Sequence, residues 1–315
     1  MPPEDFPLIL PPEIIARYPV VSHDSRADEQ MVYVGETAAG TPVRVNRRWH
    51  GAGLRIVTGN IEPHQFMGFS GGVKSAAIGV TAQETINTNH AWMADPRSGI
   101  NRYDDNPCRV DVEEIGRLIG VDYALNAVLN EDKGIVHALA GDPVDVMRRG
   151  IPLLREIYQH EVEAPYDLMI VSAGGHPKDI NLYQGQKALG HASLVTREGG
   201  TVILAIACPE GTGSRGYEEW ILAPGMTSHA AVLERYSREG FRIGPHKAWQ
   251  LARDGSRMRV LFLSDMAPDF VRRLLLEPVA SLDEALALAL PGLPPHARIG
   301  IMPIANATIP VLRHA

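Results

Sequence analysis

The chain has 315 residues, 45% apolar and 21% charged, with a formal net charge of -7 and two cysteines, Cys108 and Cys208. Aromatics make up only 6%, so the composition is that of a globular protein whose core is mostly aliphatic. A negative chain offers no general attraction for nucleic acid, and cysteines outside any CxxC or Cys/His cluster exclude a disulfide framework and a structural zinc site. No apolar run reaches the ~18 residues of a membrane span. The N-terminus "MPPEDFPLILPPEII" lacks the order of a signal peptide. The expected setting is the cytoplasm, with no membrane partner.

In chain order, the start is rich in proline (Pro2, Pro3, Pro7, Pro11, Pro12) and reads as an extended lead-in, with a short helix around Ile14 to Tyr18. Alternating residues around Gly40 predict a β-hairpin over Met31 to Asn46, and "LRIVTGNI" (Leu54 to Ile61) predicts a strand. That strand runs into "IEPHQFMGFSGGVKS" (Ile61 to Ser75), a near miss of a phosphate-binding loop. Gly68, Lys74 and Ser75 stand at the right intervals, but Val73 occupies a position that needs glycine. A β-branched residue resists the turn that aims amides at phosphate, and Gly79 interrupts the helix soon after Lys74. Ordinary ATP or GTP hydrolysis is therefore not expected. A lone "SGG" would read as a tight turn with a solvated lysine. Here His64 precedes it and His90 closes "ETINTNH", and that combination is more informative. Imidazole binds borderline metals or moves protons near neutral pH, and a lysine beside a helix start holds phosphate or bonds to a cofactor carbonyl.

Further on, Asp142 followed by Pro143 starts a helix with Val146, Leu153, Leu154 and Ile157 at helical spacing, which Pro152 is expected to kink or divide. "EVEAPYD" (Glu161 to Asp167) lacks periodicity and makes the best domain boundary. After it come four short continuous apolar runs, at Leu168 to Gly175, Gly200 to Cys208, Arg259 to Asp265 and Ala297 to Pro303. Such runs are strands buried on both faces of a parallel sheet. The expected fold is α/β in two domains. The first, 1–162, binds a cofactor. The second, 163–315, has a mostly parallel sheet flanked by helices, ligand groups at its strand ends, and a last strand returning to the first domain.

The segment "TGNIEPHQFMGFSGGVKSAAIGVTAQETINTNH" resembles the signature of the nickel-pincer nucleotide-dependent lactate racemase family. The resemblance implies that Lys74 carries the cofactor, a pyridinium-3,5-bisthiocarboxylic acid mononucleotide with nickel, through a thioamide bond. Ser70, Gly71 and Gly72 would cradle it. His90 would ligate nickel and His64 would be a catalytic acid/base. "VSAGGHPKDINLYQGQKAL" resembles the family's substrate loop, so Tyr183, Gln184 and Lys187 would meet a small carboxylate. The implied reaction is racemisation or epimerisation of a 2-hydroxy acid, by transient hydride transfer from C2 to the cofactor and back.

Family members carry a longer N-terminal segment, with an Asp-x-x-Thr-Arg-Pro element that holds the nucleotide phosphate and a His-Arg pair that supplies the second acid/base. "HDSRAD" (His23 to Asp28) and "DPRSG" (Asp95 to Gly99) are the nearest strings, and neither has that order. Three expectations follow: a fragment or mis-assigned start, a partner chain or oligomer supplying the missing part, or a catalytically incomplete cofactor-binding subunit. The first calls for exposed apolar surface on the first domain, with poor solubility or obligate association. Among other histidines, His176 in "GGHP" is a candidate substrate contact that would favour a second carboxylate or a polyol. His50, His191 and His246 read as surface or loop residues. No GxGxxG fingerprint follows a strand, which leaves an ordinary nucleotide-dependent oxidoreductase unsupported.

Overall fold

The computed structural model describes residues 2–313. After a short helix α1 (Pro12–Arg17), β1 (Met31–Glu36) and β2 (Pro42–Asn46) pair antiparallel as the alternation predicted. A turn of helix, α2 (Arg47–His50), leads to β3 (Ile56–Asn60). The chain then makes a two-residue ladder, β4 (Pro63–His64) with β5 (Gly68–Phe69), and continues through α3 (Lys74–Ala77), α4 (Gln83–Ala91) and α5 (Pro107–Ile119). In α5, Asn106 caps the start by accepting from the Arg109 amide, Pro107 needs no donor at the first position, and Cys108, Val112, Ile115 and Ile119 form a buried stripe. Next come β6 (Tyr123–Leu129), parallel to β3, and β7 (Ile135–Gly141), antiparallel to β6.

Helix α6 (Pro143–Tyr158) starts where expected, with the Asp142 carboxylate accepting from the amides of Val144 and Asp145. It runs unbroken through Pro152, against the expected division. Pro152 is exposed, so the carbonyl that loses its partner faces water. Met147, Ile151 and Leu154, buried on the opposite face, hold both halves of the helix on one core.

The second half begins with β8 (Gln159–Val162) and β9 (Tyr166–Ser172), so the stretch read as an aperiodic boundary is strand at both ends. The chain continues as α7 (Leu182–Gly185), α8 (Lys187–Ala192), β10 (Thr196–Ala205), α9 (Arg215–Ile221), α10 (His229–Glu239), α11 (Pro245–Gly255), β11 (Arg259–Leu263), α12 (Pro268–Arg273), β12 (Glu277–Val279), α13 (Leu282–Ala289), β13 (Ile299–Met302) and β14 (Ile309–Leu312). The sheet is fully parallel, in the order β12-β11-β10-β9-β13. All four apolar runs are strands of it. The three-residue β12, with Pro278 at its centre, gave no such signal. Strand β14 pairs with β8, and Ile309 is buried in the core formed by Val57, Ile115 and Met147.

A second core lies under the parallel sheet, around Met169, Leu204 and Phe262. Phe241 and Trp249 pack against both cores, which marks the seam where the two meet. The outer face of the three-stranded sheet carries Ile56, Tyr123 and Leu125, cross-strand or i+2 neighbours that remain 42–49% exposed. Apolar exposure was expected in this half, and this sheet face carries it.

Arg109 is the largest fully buried side chain. It donates to the carbonyls of Phe69 (3.0 Å) and Gly71 (3.3 Å) and pairs with Glu113 at 2.6 Å. Removing it takes the donor from two loop carbonyls and the ion-pair partner from Glu113, which keeps the Tyr103 hydroxyl at 2.8 Å. Arg109→Ala is expected to cost about 3 kcal/mol, the low end for a broken buried pair because Glu113 keeps some solvent. Urea denaturation measures this as a lower midpoint with an unchanged slope.

Candidate active site

The loop after β5 turns on two glycines. Gly71 and Gly72 have φ of 88° and 60°, and a Cβ on Gly72 would sit 2.6 Å from Met147 Cγ. Val73 is already helical (φ -59°, ψ -22°) and packs on Gly116, so the turn falls earlier than in a phosphate-binding loop. The Gly72 amide donates to Asn126 Oδ1 at 2.8 Å, and the Ser70 amide to the Glu62 carbonyl at 2.7 Å. The helix that follows is a single turn. Its first residue, Lys74, is half-buried. Lys74 Nζ has no hydrogen bond or ion pair among the described residues. Burial, then Arg109, pushes its pKa down to about 8, which makes the free amine accessible near neutral pH.

His90, near the end of α4, sits within 3.2 Å (Nδ1) of Asn89 Oδ1. Asn89 cannot turn: its amide donates to Asp111 Oδ2 (2.8 Å) and the Cys108 carbonyl (2.9 Å), and Asp111 accepts from the hydroxyls of Thr37 and Thr41. The fixed oxygen keeps the ring proton on Nδ1, which leaves the Nε2 lone pair open. Burial, then the Lys74 charge, holds the His90 pKa down at about 3, so the ring is neutral and free to coordinate a borderline metal. Among the described residues no group of three or more His, Cys, Asp or Glu could hold a metal. Any metal here would need donors beyond such a side-chain cluster.

His64 accepts from the Met67 amide at Nδ1 (3.2 Å), and burial followed by Lys74 and Lys187 lowers its pKa well below the usual value. From the other half, α7 and α8 follow the loop at the carboxyl end of β9. Asn181 caps α7 by accepting from the Gln184 amide. Lys187 Nζ donates to Gln184 Oε1 at 2.6 Å, and burial, then Lys178, pushes its pKa down to about 8. An arc of rings links the halves, His64–Phe66–His90–Phe241–His246–Tyr183, with centroids 4.7, 5.1, 5.6, 5.2 and 5.7 Å apart. His64, Lys74, His90, Tyr183, Gln184 and Lys187 thus share one seam, rich in cations and poor in carboxylates. Ser70, Gly71 and Gly72 form the loop beneath Lys74.

Other positions fall differently. His176 is exposed, at the rim of a cavity of about 340 Å³ that Glu62, Pro63, Lys178 and Asn306 also line. His50 is exposed as expected, but His191 and His246 are buried. His191 Nδ1 lies 2.6 Å from the Thr308 carbonyl, and His246 Nδ1 accepts from the Gly244 amide. Lys247 and Gln65, bonded to each other across the seam at 3.2 Å, are site residues that sequence reasoning missed. The available signal is a polar stripe inside a helix, Lys247, Gln250 and Asp254, recurring at i, i+3 and i+7 beside the apolar Ala248, Leu251 and Ala252.

Fold and seam together define an α/β enzyme with a cationic, histidine-lined cleft at the strand ends. Residues 1–101 match the model of the lactate racemase N-terminal domain, and residues 161–309 that of the lactate racemase C-terminal domain. Lactate racemases from Thermoanaerobacterium thermosaccharolyticum and Lactiplantibacillus plantarum are 28% and 29% identical over 297 residues, each match covering 92% of this chain and 69% of the relative. The lactate racemase apoprotein structure from Thermoanaerobacterium thermosaccharolyticum superposes with a TM-score of 0.92 at 26% identity, over all of this chain and 76% of that one. A Thermotoga maritima protein at 17% identity shares the fold, with a TM-score of 0.69 over 92% of this chain and 77% of its own. The chain belongs to the lactate racemase family and is an isomerase of the racemase class.

Proposed function

We propose that this protein racemises or epimerises a small 2-hydroxy acid, lactate or a close analogue, with a nickel-pincer nucleotide attached at Lys74. The observation that carries the reading is the pairing, in one cleft, of an unpartnered Lys74 amine with a neutral His90 whose Nε2 is open. A donor set with no group of three or more His, Cys, Asp or Glu among the described residues fits a metal that an organic cofactor already holds. Residues 1–162 would hold the cofactor and 163–315 the substrate. Two buried thiols, Cys108 and Cys208, suit a reducing cytoplasm.

When bound, the nucleotide would supply a reversible hydride acceptor for C2 of the substrate, and the planar 2-keto acid can take the hydride back on either face. The chain does the rest. Lys74 holds the nucleotide through its side-chain nitrogen, and His90 Nε2 fixes the metal. Gln184 spends its carbonyl oxygen on Lys187, so its amide N–H groups point as donors toward a carboxylate that the Lys187 ammonium neutralises. Tyr183 closes that side. His64 moves the proton of the 2-hydroxyl. With Nδ1 accepting from Met67, the neutral ring carries its proton on Nε2. To take a proton at Nε2 the ring must first shift to the tautomer with hydrogen on Nδ1, releasing the Nε2 proton to solvent, taking one up at Nδ1 and giving up the Met67 hydrogen bond at a cost of about 1 kcal/mol.

The test is intact mass and nickel content of protein co-expressed with the cofactor's biosynthetic enzymes. A nucleotide-sized adduct mapped to Lys74, with about one nickel per chain, is the expected result. An unmodified, nickel-free chain that still interconverts enantiomers would overturn the reading.

Two further outcomes follow. Asn89→Leu frees His90 to rotate and should weaken nickel retention about 10- to 100-fold, measured by competition with a chelator, while the Lys74 adduct stays. In the loaded protein Lys74 no longer titrates, and Lys187, with its pKa pushed down to about 8, sets the alkaline limb. Its ammonium is the binding form, so kcat/KM should be flat below that pH and fall at least about tenfold per unit above it. Lys187→Arg, charged throughout, should shift the limb upward.

A further inference from the structure

Lys247 is an ammonium of the seam to which the proposed function gives no task. It is 5% exposed, on the first turn of α11. Its Nζ donates to Gln250 Oε1 at 3.1 Å and, across the seam, to Gln65 Oε1 at 3.2 Å, and it lies 4.6 Å from the centre of the Tyr183 ring. Lys187, one helical turn beyond Tyr183, is steered in the same way by Gln184 Oε1 at 2.6 Å.

An amide oxygen orients an ammonium but cancels none of its charge. Neither lysine has a carboxylate partner among the described residues. The nearby acids are engaged elsewhere: Glu62 faces Lys178 at 3.9 Å, and Asp254 pairs with Arg253 at 2.7 Å. Burial and the Lys187 charge both press Lys247 toward its neutral form. Two like charges held close, aimed and left uncompensated form a poor core and a good anion seat.

We propose that Lys247 is a second carboxylate-binding cation, which with Lys187 forms a two-pronged seat for the carboxylate of the 2-hydroxy acid, its ammonium held in place by Gln65 and Gln250. The inference rests on the substrate side of the proposed function. One ammonium on each carboxylate oxygen fixes C1 while leaving rotation about the C1–C2 bond free. That is the motion a planar 2-keto acid needs to present its other face without leaving the site.

The experiment reads carboxylate binding and turnover separately. Propionate, which lacks the 2-hydroxyl, is titrated into cofactor-free protein by calorimetry, and KM and kcat are measured on the holoenzyme. Lys247→Met and Lys247→Gln, two variants so that a folding failure in one does not decide, should each raise the propionate Kd and the KM at least about tenfold, with kcat within about threefold. Lys187→Met is the control and should weaken propionate as well. If it does and both Lys247 variants bind propionate within about twofold of the parent protein, Lys247 is not part of the seat. Lys247 is likewise excluded from the seat if its variants lose the nucleotide adduct or inorganic phosphate binding instead, since the cation then serves the cofactor. If Lys187→Met also leaves propionate untouched, the substrate site itself is misplaced and this inference falls with it.

Discussion

Lys74→Ala is expected to lose both the nucleotide adduct and the nickel, while His90→Ala keeps the adduct and loses the metal; both fall to background activity. The difference follows from the donor set. Lys74 is the only attachment point in the proposed function, and its amine, unpartnered and pushed down to about 8, is poised for bond formation. Alanine there removes the anchor, and with it every donor that His90 cannot supply alone. His90 contributes one nitrogen, already oriented by the Asn89–Asp111 network. Alanine at 90 leaves the organic donors in place but opens a coordination position to water. Mass spectrometry follows the adduct and elemental analysis follows the nickel, so the two variants separate anchor from ligand without reference to turnover. Nickel retained at full stoichiometry in His90→Ala would remove His90 from the metal's coordination.

Much of this frame is legible in the sequence because apolar pattern encodes local faces. Strands β9, β10 and β11, buried on both faces in the sheet interior, appear as unbroken apolar runs, as does the edge strand β13 although its Ile299 and Ile301 are exposed, and α6 announces itself by Asp142-Pro143. His64, Lys74 and His90 lie close in sequence on turn-rich chain and can be read as a set. What the pattern hides is long-range. Lys247 is 182 positions from Gln65, and Asn89 is fixed by Asp111, itself held by Thr37 and Thr41. A polar side chain buried by a partner from elsewhere looks, in sequence, like a surface residue. His246 reads as one for that reason, although its ring packs between Phe241 and Tyr183. Pro152 misleads in the opposite sense: its helix-breaking tendency is local, while the packing of α6 that overrides it is tertiary.

His64→Ala is expected to lower kcat by about 10²- to 10⁴-fold with a much smaller change in KM, the range for loss of a positioned acid/base. The partition by substrate hand is the sharper test. The two enantiomers of a simple 2-hydroxy acid are equal in free energy, so the ratio of kcat/KM in the two directions must remain one whatever is mutated. Steady-state rates therefore fall equally both ways and cannot say which hand His64 serves. A single turnover can. If His64 takes the hydroxyl proton of one enantiomer only, acid-quenched His64→Ala should form 2-keto acid slowly from that hand and at nearly the parent rate from the other. Proton transfer on the opposite face then belongs to another group. Equal slowing from both hands would make His64 a shared positioning residue. Its ring, held by one 3.2 Å bond from Met67 and flanked by Phe66, would then orient substrate for a base outside the described cluster.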